Sequence, residues 1–213
     1  MIFLQNLIKM QAIRPNLVRG FTLVEVMVTV AIVTILMSTA IVNYYSFNDK
    51  LSLSSAGQEM AINIRLSQSY GLNVKEVSVG SGNFSVPYGV YFDIYSGSID
   101  NYTIFSDIDG DKRYDEGSGC GQPGSECVEK VFLRNGVLIS FVDAVSTCPA
   151  TNAARSLTLR FIRPNPDADI NFLTNGQGSV VCSSLSNAII TLTSKGGRTM
   201  IVTVEKTGQI SVQ

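Results

Sequence analysis

The chain has 213 residues, 45% hydrophobic and 15% charged, with 4 Cys and no His; that length suits one domain plus an appendage and excludes a large multidomain enzyme. Lys+Arg 16 against Asp+Glu 17 leaves a net charge of -1, so no global excess of charge points to a polyanionic partner. Without histidine there is no Ser-His-Asp or Cys-His catalysis and no His-ligated zinc or iron, and no enzymatic activity is expected.

The first segment, Met1 to Gly20, carries Lys9, Arg14 and Arg19 and no acid, which keeps it on the cytoplasmic side of a membrane. The excess that lifts mean hydropathy to +0.22 then concentrates in Phe21 to Val42, whose only charge is Glu25. As a helix this run is about 33 Å long, enough to cross a hydrocarbon core of about 30 Å. It is expected to enter with its N-terminus inside and its C-terminus outside. A carboxylate near the end of such a helix is costly in lipid and calls for a cation or a function.

Arg19-Gly20-Phe21-Thr22-Leu23-Val24-Glu25 resembles the processing site of type IV pilins and type II secretion pseudopilins. The resemblance implies cleavage between Gly20 and Phe21 by prepilin peptidase, methylation of the new amino terminus, and retention of the apolar helix. The Phe21 ammonium would then lie one turn from Glu25, able to pair with it or with Glu25 of an adjacent subunit and so set the axial register of a filament. The implied partners are prepilin peptidase, other pilin or pseudopilin subunits, an inner-membrane assembly platform, and membrane lipid before assembly. The implied location is a single-pass membrane protein that later joins a pilus or pseudopilus.

Helical character is expected to continue from Asn43 to about Tyr70, with no Pro from Phe21 to Val86. Leu53, Ala56, Met60 and Ile64 make one apolar face, while Asp49, Lys50, Gln58, Glu59 and Arg65 are polar. The helix therefore changes from apolar all round to amphipathic, as a spine needs if its second half packs on a head. Pilin-like proteins often kink here at a proline; this chain has Val42, which favours a minor over a major subunit.

From Gly71 onward the pattern is strand-like. Candidate strands are Val77 to Val79, Tyr88 to Ile94, Asn101 to Phe105, Lys130 to Phe132, Val137 to Val142, Ser156 to Ile162, Ala188 to Thr193, Thr199 to Glu205 and Gln209 to Val212. The last two form a hairpin around Lys206-Thr207-Gly208. The expected fold class is α+β: a long N-terminal helix packed against an antiparallel sheet, similar to the pilin fold and most like the minor group that includes the H-type pseudopilins. The expected division is a leader at 1–20, a membrane or filament-core helix at 21–42, an amphipathic half at 43–72 and a β-rich head at 73–213.

Asp107, Asp109 and Asp111 alternate in a loop that continues through Arg113, Asp115 and Glu116. Curled, it can offer three carboxylates, the Arg113 carbonyl and a further acid to a hard divalent cation such as calcium. It departs from an EF-hand, with glycine at the fourth position and Ser118 at the twelfth, and a solvated acidic turn neutralised by Lys112 and Arg113 is the alternative. No cofactor is required; a structural calcium ion is the one candidate. Cys120, Cys127, Cys148 and Cys182 suggest two disulfides outside the membrane, with three connectivities; the short link Cys120–Cys127 is favoured, leaving Cys148 with Cys182.

Two groups of cations, Lys195, Arg198 and Lys206, and Arg155, Arg160 and Arg163, are the candidates for phosphate binding. Removing the leader leaves 13 basic against 17 acidic side chains, and the chain ends without an arginine-rich tail, so DNA is not expected as a partner. The sequence thus reads as a structural, minor subunit of a type IV pilus or secretion-like pseudopilus. The alternative keeps the fold but makes the head a tip-binding subunit, an adhesin or DNA-uptake receptor.

Overall fold

The computed structural model describes residues 20–73, 75–77, 82, 84–94, 97, 99–117, 119–144, 154–174 and 178–213. One helix, α1 (Leu23–Leu72), precedes ten strands: β1 (Tyr88–Asp93), β2 (Asn101–Ser106), β3 (Cys127–Phe132), β4 (Leu138–Asp143), β5 (Ala154–Phe161), β6 (Ala168–Thr174), β7 (Val180–Cys182), β8 (Asn187–Thr193), β9 (Thr199–Glu205) and β10 (Ile210–Val212). The chain divides into two units between Asn43 and Tyr44.

In the first unit, α1 starts where Thr22 caps it. The Thr22 hydroxyl accepts the Glu25 N–H at 3.2 Å, and the Thr22 carbonyl accepts the Val26 N–H at 3.1 Å. Thr22-Leu-Val-Glu25 is thus the Thr-x-x-Glu pattern of a capped helix start, with the acid in the first turn where the helix dipole favours it. The remaining hydroxyls of the apolar run turn inward: Thr29 donates to Val26, Thr34 to Val30, Ser38 to Ile35 and Thr39 to Leu36, at 2.7–2.9 Å. Every side-chain donor from Thr29 to Thr39 is satisfied by the helix's own carbonyls, so none needs water. The apolar side chains of this stretch are all exposed.

In the second unit, α1 presents Leu53, Ala56, Met60 and Ile64 to the core, as the spacing predicts, joined by the small residues Gly57, Ala61 and Gly71. Two antiparallel sheets receive it, where one was expected: a six-stranded sheet ordered β3-β2-β1-β5-β6-β7 and a four-stranded sheet ordered β10-β9-β8-β4. Val90, Phe92, Leu157, Leu159 and Phe172 from the first sheet share one core with Ile190, Leu192, Val202 and Val204 from the second. Strand β8 alternates half-buried and buried residues along its length, the signature of one covered face. The hairpin β9–β10 forms with Gly208 at φ +81°, a left-handed position suited to glycine.

Strands β1 and β2 are buried on both faces. Their second face is covered by the loop between β2 and β3, which folds back to seat Tyr114 against Tyr91 and Phe105, ring centroids 5.1 and 5.8 Å away, with Cys127 completing this small cluster. Two strands, β6 and β7, were not anticipated. In β6, Asp169 and Asn171 interrupt the apolar run: Asp169 pairs with Arg160 and Lys112, and the buried Asn171 side chain donates to the Asp169 carbonyl at 3.3 Å. The expected strand at 77–79 lies outside the described residues except for Val77, which belongs to no strand.

Candidate functional site

Gly20 and Phe21 precede the capped turn of α1. Phe21 is exposed, and a Cβ placed on Gly20 would meet nothing within 4 Å. Gly20 is also absent from the glycines with left-handed φ, so neither packing nor backbone geometry demands glycine there. Glu25 is the only charge between Phe21 and Val42 and sits in the first turn.

The chain matches the prokaryotic N-terminal methylation motif over residues 15–41. It carries the type IV pilin and pseudopilin signature. Comparisons with curated proteins and with solved structures find no match. The motif covers Gly20, Phe21 and Glu25 and most of the apolar run. The helix to which it belongs is apolar and long enough to span a membrane.

The second site lies in the head, where the loop after β2 brings carboxylates together by a chain of turns. Asp107 accepts the Gly110 N–H at 2.9 Å and the Lys112 N–H at 3.3 Å; Asp109 accepts the Asp111 N–H at 3.0 Å; Asp111 accepts the Arg113 N–H at 2.8 Å. Each acid at one position thus ties down a backbone donor two to five residues on, which is how Asp curls a loop. Gly110 and Lys112 adopt left-handed φ of 81° and 75° within it.

Glu126, which sequence spacing did not single out, closes the loop. Its two oxygens accept the Ile108 N–H at 2.8 Å and the Asp115 N–H at 2.9 Å, joining the start and the end of the acidic stretch. Two groups of carboxylates result, Asp107-Asp109-Glu126 and Asp109-Asp111-Asp115, each with ligand oxygens within 4.8 Å of one another. Asp109 is common to both. Glu116 remains exposed and joins neither, while the Arg113 guanidinium pairs with Asp111. Burial pushes the Glu126 carboxyl up to about 7, and the charges of Asp107 and Asp109 push the same way against its two backbone donors.

Arg160 is the buried counter-ion beneath this loop. The pairing registers place Phe105, Gly89, Arg160 and Asp169 in one row across β2, β1, β5 and β6. From that row the guanidinium of Arg160, 3% exposed, reaches both Asp107 and Asp169. Burial works against the Asp169 carboxylate, but Arg160 and Lys112 hold it below the ordinary carboxylate range. Of the second group of cations, Arg160 is enclosed in the fold and offers no surface to phosphate, Arg163 is bonded to the Phe84 carbonyl, and the Arg155 side chain lies outside the described residues.

Cys120 and Cys127 form a disulfide across the short loop, with Cα atoms 4.4 Å apart, as favoured from spacing. Cys182 is also disulfide-bonded, and Cys148 lies outside the described residues. The first disulfide places Glu126 beside the chain it must close upon. An acid immediately before a cysteine that pairs back toward an acidic loop is the sequence signal that could have identified it.

Proposed function

We propose that this chain is a structural, minor subunit of a type IV pilus or a type II secretion-like pseudopilus. It is cut between Gly20 and Phe21 by prepilin peptidase and methylated at Phe21. It is then held in the membrane by its apolar helix until that helix packs among its neighbours in a filament. The observation that carries this reading is the methylation motif placed on a helix start that is sterically open at Gly20, capped at Thr22 and charged only at Glu25. A new ammonium at Phe21 stands at the positive end of the helix dipole, an unfavourable place for a cation. Glu25, one turn away, offsets it, or offsets that of a neighbouring subunit.

The head contributes no catalytic step; its work is to stay folded around the second half of α1. A hard cation fits the acidic site, because the donors are all oxygen and a buried carboxylate, Glu126, meets Asp107 and Asp109 there. Calcium held by Asp107, Asp109, Glu126 and the neighbouring Asp111 and Asp115 would supply the missing positive charge and stiffen the loop that covers Tyr91 and Phe105. The assembly reading is tested by shearing filaments from cells that express the machinery and comparing wild type with Glu25→Ala. Wild-type subunit in the sheared fraction and processed Glu25→Ala retained in the membrane supports it. Equal recovery of both in the sheared fraction contradicts the register role.

A further inference from the structure

Directly after the apolar run, α1 carries Tyr44, Tyr45 and Phe47, all exposed, and then Lys50. Tyr44 follows Val42, the last residue of the apolar run, by two residues. Amphipathic rings at such a position sit at the level of lipid headgroups. What the sequence does not display is the second half of the feature. The turn between β8 and β9, about 150 residues later, folds against this stretch: Arg198 donates to the Ser46 hydroxyl at 3.0 Å, and the Gly196 N–H to Asp49 at 3.2 Å.

Between them lies an open cleft of about 620 Å³ lined by Tyr45, Asn48, Ser52, Asn135, Lys195 and Arg198. Its one acid, Asp49, is already occupied, by the Ser194 hydroxyl at 2.8 Å, by Gly196 and by Arg198 at 3.7 Å. Lys195 pairs with no acid among the described residues and is exposed, as is Arg198. The cleft therefore keeps an excess of positive charge. Gly196 and Gly197 leave the turn without bulky side chains, and Asn48 and Ser52 add neutral polar groups.

We propose that this cleft seats the headgroup of an anionic phospholipid before assembly, with Lys195 and Arg198 on the phosphate and Tyr44, Tyr45 and Phe47 in the interfacial layer. The inference rests on the reading that Phe21 to Val42 spans a bilayer. That reading is what selects a lipid over a free anion, because Tyr45 of the cleft wall follows the end of the apolar run by three residues in sequence. A basic side chain near an anionic surface is worth about a five-fold preference, so the pair gives a preference of about 5-fold to 25-fold, the lower value applying if Asp49 cancels Arg198.

The test uses the full chain with Tyr45→Trp in lipid nanodiscs; the protein has no other Trp, so indole emission reports this one place. Phosphatidylglycerol is titrated into phosphatidylcholine discs. With that preference, half of the emission change comes at about 4 to 17 mol% phosphatidylglycerol. Lys195→Gln raises that midpoint, and Lys195→Gln with Arg198→Gln moves it to about 50 mol%, the value for no preference, as does high salt. Lys195→Gln alone removes no hydrogen bond or ion pair among the described residues, and circular dichroism confirms that the head is folded. A midpoint near 50 mol% with both cations intact, or one that neither substitution shifts, overturns the inference while leaving the anchor intact. The same emission change on adding inorganic phosphate to pure phosphatidylcholine discs overturns the lipid assignment. Failure of the chain to enter discs of either composition overturns the anchor reading and the inference with it.

Discussion

Gly71→Ala sets two effects of opposite sign against each other at the end of α1. In an unconstrained helix the change stabilises by about 1 kcal/mol, since glycine forfeits more backbone entropy on folding than alanine. Here a Cβ on Gly71 would stand 2.9 Å from the Phe161 carbonyl carbon and 3.0 Å from its Cβ, and nearer still to the carbonyl oxygen. That carbonyl belongs to β5 at the centre of the six-stranded sheet and cannot turn away without breaking the ladder with β1 or β6. Overpacking of this kind costs about 1–3 kcal/mol or more, and an immovable backbone neighbour places it at the upper end. The net expectation is a loss of about 2 kcal/mol, or a fall of about 1 M in urea midpoint for a slope near 2 kcal/mol/M.

Gly57→Ala is the control on the same helix face. Its Cβ would meet the Met200 sulfur at 2.5 Å and Val212 at 3.2 Å, and a thioether end can swing aside. It should therefore remain within about 1 kcal/mol of wild type. Urea unfolding of the full chain in detergent, followed by near-UV circular dichroism, measures both. A Gly71→Ala protein as stable as wild type, or less affected than Gly57→Ala, would refute the close seating of α1 on β5.

The acidic site makes a pH prediction. Glu126, pushed up to about 7 in the fold against 4.5 as a free carboxyl, favours the folded state fully below pH 4.5. As pH rises from 4.5 to 7 the unfolded chain ionises first, so the metal-free protein loses up to about 3 kcal/mol across that window. Glu126→Gln should flatten this slope in urea titrations. Saturating calcium should raise the wild-type urea midpoint at pH 7, with about 2.7 kcal/mol of stabilisation at a hundred-fold excess over Kd, and magnesium should not. Glu126→Gln should lose most of that gain, and no calcium effect in wild type would contradict the proposed site. Replacing Cys120 and Cys127 by Ser opens a link between residues seven apart and should cost about 2.5 kcal/mol by loop entropy, read from the same unfolding curves.

The parts of this fold that local spacing controls were legible in the sequence. The apolar run, its solitary Glu25 and the switch to a single apolar face at Leu53, Ala56, Met60 and Ile64 are properties of neighbouring residues, and α1 follows them. The hairpin β9–β10 was visible because β-branched arms flank a glycine turn. Strand β6 was hidden because Asp169 and Asn171 look like loop residues until Arg160 and the overlying loop supply a polar layer. The division into two sheets was hidden because β4 pairs with β8, about 50 residues onward, and nothing in its own sequence names that partner. In the candidate site, the Asp ladder was legible and its two organisers were not. Glu126 enters from just before β3 and Arg160 from β5, and only pairing register and the Cys120–Cys127 link bring them to the loop.

The central claim is that the chain is a processed subunit, and its most direct test is the mass and N-terminal sequence of protein recovered from membranes of cells with and without an active prepilin peptidase. The account predicts a chain beginning at methylated Phe21 when the peptidase is active and an uncut chain beginning at Met1 when it is not. A Met1 chain in both would contradict it and leave an anchored head with no route into a filament.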